Sequence, residues 1–215
     1  YIINDGELGS NYFFTIYAEN EANLLFGNKG YGVFRYNETT NGLEPVSTHK
    51  YENMTLNNIL AISKDSSNNY LFGTSYGLIK YTSETSYQLF NAKNGFLNNT
   101  IHAILRNSSD NFWLSTNLGL INFDTKRNVF RSYGFGDGLK VVEFSDGAAF
   151  RDSRTGTLFF GGINGVVAIR ADGRPEQLYM PPVYFDKLSI FGEQYNLGEF
   201  LTRKKETEVL NLQYD

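Results

Sequence analysis

The stretch IHAILRNSSDNFWLSTNLGLINF (101–123) reads as three strands separated by two turns, and the chain repeats it. The other copies are FFTIYAENEANLLFGNKGYGVFRY (13–36), ILAISKDSSNNYLFGTSYGLIKY (59–81) and GAAFRDSRTGTLFFGGINGVVAI (147–169). A marker glycine recurs at Gly32, Gly77, Gly119 and Gly165, in steps of 45, 42 and 46 residues. A period in the forties packed with short strands points to a β-propeller, one four-stranded blade per repeat. The expected fold is therefore all-β: four four-stranded blades of a larger propeller, near residues 13–51, 58–91, 101–133 and 144–180. Such a platform says little about function by itself, which has to be argued from loops and neighbours.

The second copy shows how a repeat becomes a blade. Ile59, Ala61 and Ile62 give the inner strand, and Asp65-Ser66-Ser67-Asn68-Asn69 is a dense turn signal. Tyr70–Gly73 forms the next strand, Thr74–Gly77 turns back, Leu78–Tyr81 is the third strand and Tyr87–Phe90 the outer one. These strands are apolar on both faces, as expected where a blade is sandwiched between two others. Equivalent positions keep their chemistry: Ile16, Ile62, Ile104 and Phe150 on the inner strand; Leu25, Leu71, Trp113 and Phe159 on the second; Tyr36, Tyr81, Phe123 and Ile169 on the third. All are expected in the core, with Trp113 buried between blades.

A second element recurs between blades: Asp5-Gly6-Glu7-Leu8, Asn94-Gly95-Phe96-Leu97 and Asp137-Gly138-Leu139. Each follows an aromatic strand end, so residues 1–4 read as the outer strand of a preceding blade; the link 50–57 departs from the pattern. Four blades would leave two apolar faces for further blades of the same chain to cover. After Ile169 the repeat ends, and Met180-Pro181-Pro182 makes a stiff joint. Val183–Ile190, turning at Gly192, and residues 207–215 read as strands, so residues 181–215 are expected to begin a β-sandwich, after the propeller of residues 1–180.

Composition agrees with strands and turns: 16% aromatics, 21 glycines and 4 prolines in 215 residues. The net charge of −4 comes from interspersed signs, and without a basic stripe nucleic acid is not an expected partner. The absence of cysteine excludes disulfide and thiolate chemistry. The two histidines, His49 and His102, lie far apart in sequence, and His102 at the start of an inner strand is expected to be a hydrogen-bonded structural residue. No H-x-x-x-H, EF-hand series, nucleophile elbow or phosphate loop occurs, so neither metal nor cofactor is expected, and no catalytic residue is assigned. Asp65, Asp110, Asp124, Asp137, Asp146 and Asp152 stand at turn positions, where Asx hydrogen bonding accounts for them. The face that collects the second-to-third strand turns also collects the links between blades. It offers Asn28, Lys29, Tyr31, Ser75, Tyr76, Asn117, Ile163, Asn164 and the link 91–99 as ligand-binding candidates. Tyrosine with asparagine and lysine suits sugars, whose CH faces stack and whose hydroxyls hydrogen-bond.

The run of inner strand, Asp or Asn turn, aromatic-rich strand and Gly/Ser-Thr-x-x-Gly-Leu resembles the two-component regulator propeller repeat, most clearly in Phe112–Thr116 with Gly119-Leu120. Asp137–Leu139, Glu143-Phe144, Gly147-Ala148, Leu158–Gly162 and Asn164-Gly165 resemble that family's last blade, and Pro181-Pro182-Val183 resembles the lead into its tyrosine-named (Y-Y-Y) β-sandwich. The resemblance implies the periplasmic, non-catalytic sensing region of an inner-membrane hybrid histidine kinase of gut Bacteroidetes, homodimeric, responding to glycan-derived oligosaccharides that control polysaccharide use. Two rivals follow from other classes: a propeller enzyme, either glycoside hydrolase or lyase, and a protein-interaction scaffold. Poverty in histidine weighs against the first, and the lack of a Trp-Asp pair closing any blade weighs against the second.

Overall fold

A computed structural model describes residues 12–46, 58–83 and 85–170, and the backbone of 188–190 and 193–195. The expected strands at 1–4 and 207–215, the link 50–57 and the joint 174–182 lie outside the described residues. The chain divides into two units, residues 1–173 and 174–215.

The first unit is a series of antiparallel meanders. Blade one contains β1 (Phe13–Asn20), β2 (Asn23–Asn28), β3 (Gly32–Asn37) and β4 (Gly42–Pro45). Blade two contains β5 (Ile59–Lys64), β6 (Tyr70–Thr74), β7 (Gly77–Ser83) and β8 (Ser86–Phe90). Blade three contains β9 (Ala103–Arg106), β10 (Asn111–Thr116), β11 (Gly119–Asp124) and β12 (Val129–Tyr133). Blade four shows β13 (Phe144–Arg151), β14 (Leu158–Gly162) and β15 (Gly165–Ile169); the fourth strand expected for it falls outside the described residues. The inner strands β1, β5, β9 and β13 are neighbours in that order, so the blades fan out from a common axis. In the second unit, β16 (Leu188–Ile190) pairs antiparallel with β17 (Glu193–Tyr195), and the expected turn at Gly192 lies outside the described residues.

Adjacent residues on each strand feed different cores. Leu71 and Leu78 of blade two join Phe112, Leu114, Ile121 and Phe123 of blade three. Their neighbours Phe72 and Ile79 join Leu25 and Val33 of blade one. Blade three repeats the rule: Trp113 and Leu120 turn to Leu158 and Phe160 of blade four. Period-two alternation thus survives, with both faces apolar because each has a blade against it.

That rule corrects two expectations. Ile16 holds the position that faces the preceding blade, and it is 66% exposed because no described blade lies there. Phe150 is also misplaced in the repeat. Ile62 pairs with Phe72 and Ile104 with Leu114, but in blade four it is Ala149 that pairs with the equivalent Phe160. A register irregularity between Phe144 and Ala149 moves the alignment by one residue, and a one-residue slip turns a side chain to the other face. Phe150 therefore points away from blade three and is 64% exposed. Trp113 is only partly buried, packed on the blade three–four core with its ring 5.1 Å from that of Tyr133. Tyr36 and Phe159 are likewise half-buried, each turned to a face with no described blade against it, while Ile169 packs half-buried on the blade three–four core.

Candidate functional site: the upper face of the blades

The recurring Thr-x-x-Gly turn is built by its threonine. Thr116 Oγ1 donates to the Gly119 carbonyl at 2.9 Å and accepts from Leu118 N at 3.0 Å. Thr74 does the same with Gly77 and Tyr76. Gly119 has φ +131, and a Cβ there would lie 2.0 Å from the Tyr133 carbonyl oxygen, where the outer strand ends. Only glycine fits both the backbone angle and the contact.

The links between blades form the rest of this upper face. Asn94 accepts from Asn91 N at 3.0 Å and Asp137 from Gly134 N at 2.9 Å, each closing a short 3-10 turn that a left-handed glycine ends, Gly95 or Gly138. Phe96 drops from the first link into the core, with its ring 4.6 Å from that of Phe130. The second link keeps its aromatic outside: Phe135 is 81% exposed.

The candidates on this face fare differently. Asn28 is wholly buried in blade one. Lys29 is exposed, with its ammonium 5.3 Å from the Tyr12 ring, and Tyr31 is exposed beside it in sequence. Ser75 Oγ accepts from Asn58 Nδ2 at 3.4 Å, and Tyr76 packs on the core between blades one and two. Asn164 and Ile163 are exposed at the tip of blade four. Asn117 meets a histidine that is itself paired with a carboxylate. Asn117 Oδ1 lies 2.6 Å from Nε2 of His102, whose Nδ1 donates to the Asp146 carboxylate. His102 is thus the hydrogen-bonded residue expected, and both ring nitrogens are engaged.

The sequence reading gives Asp146 a turn role like that of the other aspartates. Asp65, Asp124, Asp137 and Asp152 do accept backbone N–H bonds in Asx fashion. Asp146 instead projects from the irregular start of β13, where Gly147 has φ +66. The signal available in the sequence was a Ser-Asp-Gly turn triplet inside a strand, which marks a bulge.

The lower face spends its polar groups on joining blades. Glu19 of blade one is ion-paired with Lys64 of blade two and accepts from Tyr70 Oη at 3.0 Å. The Lys64 hydrogen bond, opposed by burial, holds the Glu19 carboxyl below the usual range, and the same bond raises the Lys64 ammonium. Asp110 of blade three departs from the Asx expectation: it accepts from Ser66 Oγ of blade two at 2.6 Å. Lys80 Nζ crosses the same boundary to the Thr125 carbonyl at 2.6 Å. Among the described residues no group of three His, Asp or Glu side chains could hold a metal ion, and no helix is long and apolar enough to cross a membrane.

The upper face is thus made of turns and links between blades, and the lower face of polar groups that join the blades. The chain is similar to the extracellular domain of BT3049 from B. thetaiotaomicron, assigned to a hybrid two component system, at 27% identity and a TM-score of 0.68 over 87% of this chain. Two structures of the extracellular domain of BT4673 from the same organism share the fold. Their identities are 17% and 18%, with TM-scores of 0.56 and 0.53 over 75% and 88% of this chain. The chain spans about a quarter of the length of these structures, at 25%, 22% and 24%. No protein-family model matches it. No curated protein matches it either.

Proposed function

We propose that this chain is a non-catalytic part of the periplasmic sensing region of a hybrid two-component receptor in the inner membrane, and that the receptor responds to glycan-derived oligosaccharides. The observation that carries this reading is the likeness to the BT3049 extracellular domain, which extends over 87% of the chain. Further blades of the same receptor chain would cover the outward faces of blades one and four, residues 181–215 would open a Y-Y-Y sandwich, and the receptor would act as a homodimer. In this reading the joint through Pro181 and Pro182 passes movement of the blades toward the membrane, since packed blades shift as rigid bodies.

The test is genetic and direct. The reading frame that encodes these residues is expected to continue into a membrane helix, a histidine kinase and a receiver. Its disruption should abolish induction of a reporter for polysaccharide-use genes when cells are fed oligosaccharides. A frame that closes shortly after residue 215, or unchanged induction in the disrupted strain, refutes the reading.

A further inference from the structure

We propose that the upper edge of the blade three–four boundary, from Phe135 to Asp146, is an oligosaccharide subsite; the inference rests on the glycan-sensing reading above and assigns residues to it. Asp146 is the centre. Its carboxylate is half in solvent, with 53% of the side chain exposed, yet it is held in place by a buried partner, His102. One carboxylate oxygen, Oδ1, is committed to His102 Nδ1, and among the described residues Oδ2 has no protein partner. A carboxylate that is oriented from behind and open in front accepts hydrogen bonds from adjacent hydroxyls, the arrangement a sugar ring presents. His102 is itself braced by Asn117, so the group is anchored on β9, β13 and the turn between β10 and β11.

The apolar half of the site lies on the link that leads from blade three to blade four. Asn117 is followed by Leu118, which is 51% exposed, and the Leu118 carbonyl lies beside Gly134, the residue before Phe135. A Cβ on Gly134 would sit 3.5 Å from that oxygen and 3.6 Å from Leu97 Cδ2. The Leu97 side chain and the Leu118 backbone thus flank the residue before Phe135, and Leu97, Leu118 and Phe135 are all exposed. Phe135 stands on the 3-10 turn that Asp137 and Gly138 close, so its ring is carried by a defined backbone. An exposed aromatic on a rigid turn stacks on the CH face of a sugar. The link carrying Phe135 leaves the outer strand β12, whereas Asp146 belongs to the inner strand β13. Three strand spacings separate those radii, roughly 14 Å. One sugar ring does not bridge that distance, and a short oligosaccharide does.

The experiment measures binding to the intact protein by calorimetry, with short xylo-, manno-, cello-, malto- and fructo-oligosaccharides as probes. Phe135→Ala and Asp146→Asn are each expected to weaken binding about tenfold. Arg127→Ala, exposed on the lower face, should leave it unchanged. Asp146→Asn keeps an oxygen for His102, and Phe135 is too exposed for its loss to unfold the chain, so thermal melting should match the parent for both. If the parent binds a probe and both variants bind it equally well, the subsite is overturned while the glycan reading stands. If the parent binds none of the probes, the subsite and the glycan ligand class fall together.

Discussion

Ile16→Ala distinguishes a bare blade face from a covered one. In the 215 residues alone Ile16 keeps 66% of its surface in water, so truncation removes only the remaining third of its packing. A fully buried Ile→Ala change costs about 2–5 kcal/mol, and the exposed site should therefore cost about 1 kcal/mol. Where another blade packs on Phe14, Ile16 and Phe26, as proposed for the intact receptor, the same change should reach the full range. Phe150→Ala and Val166→Ala report the opposite face by the same logic, because Phe150 and Val166 are 64% and 66% exposed. Ile121, at 0% exposure between blades two and three, is the internal control and should cost about 2–5 kcal/mol in both contexts. Native-state hydrogen exchange on peptides covering β1 and β13 is the suitable assay, since a many-domain receptor will not unfold in two states. The expected result is an Ile16→Ala effect larger by about 1–3 kcal/mol in the intact protein than in the isolated residues. Equal effects, within about 0.5 kcal/mol, would refute the idea that a blade of the same receptor covers this face.

Gly119→Ala should destabilise blade three by at least about 2 kcal/mol in urea titration, because its Cβ would meet the Tyr133 carbonyl at 2.0 Å on a backbone with φ +131; Gly136→Ala, with nothing within 4 Å, is the neutral control. The Glu19–Lys64 pair predicts a pH dependence with a defined sign. The Glu19 carboxyl is depressed in the fold, so its stabilising effect is complete above the unfolded value near 4.5 and is lost as pH falls through the lower folded value. Lys64 is raised, so its share is complete below 10.5 and is lost only in stronger alkali. Melting temperature should therefore fall on acidification more steeply in the parent than in Glu19→Gln, and identical acid slopes would show that the pair contributes nothing.

Much of this protein was determined by its sequence alone. The recurring glycines, the Thr-x-x-Gly turns and the doubly apolar strands suffice for blades, because their causes are local: a backbone angle only glycine tolerates, a hydroxyl that closes a turn, an alternation of side chains along a strand. The Asx role of Asp65, Asp124 and Asp152 belongs to the same class, since each bonds to residues within four positions of itself. What tertiary structure decided was face and partner. Whether Ile16 is core depends on a neighbouring blade, and whether Phe150 is core depends on one irregular step at the start of β13, which reverses every side chain after it. The pairing of His102 with Asp146 joins residues 44 apart, and that of Ser66 with Asp110 spans the same interval. Each crosses a blade boundary, so no local pattern announces it: those contacts exist only once one repeat lies against the next.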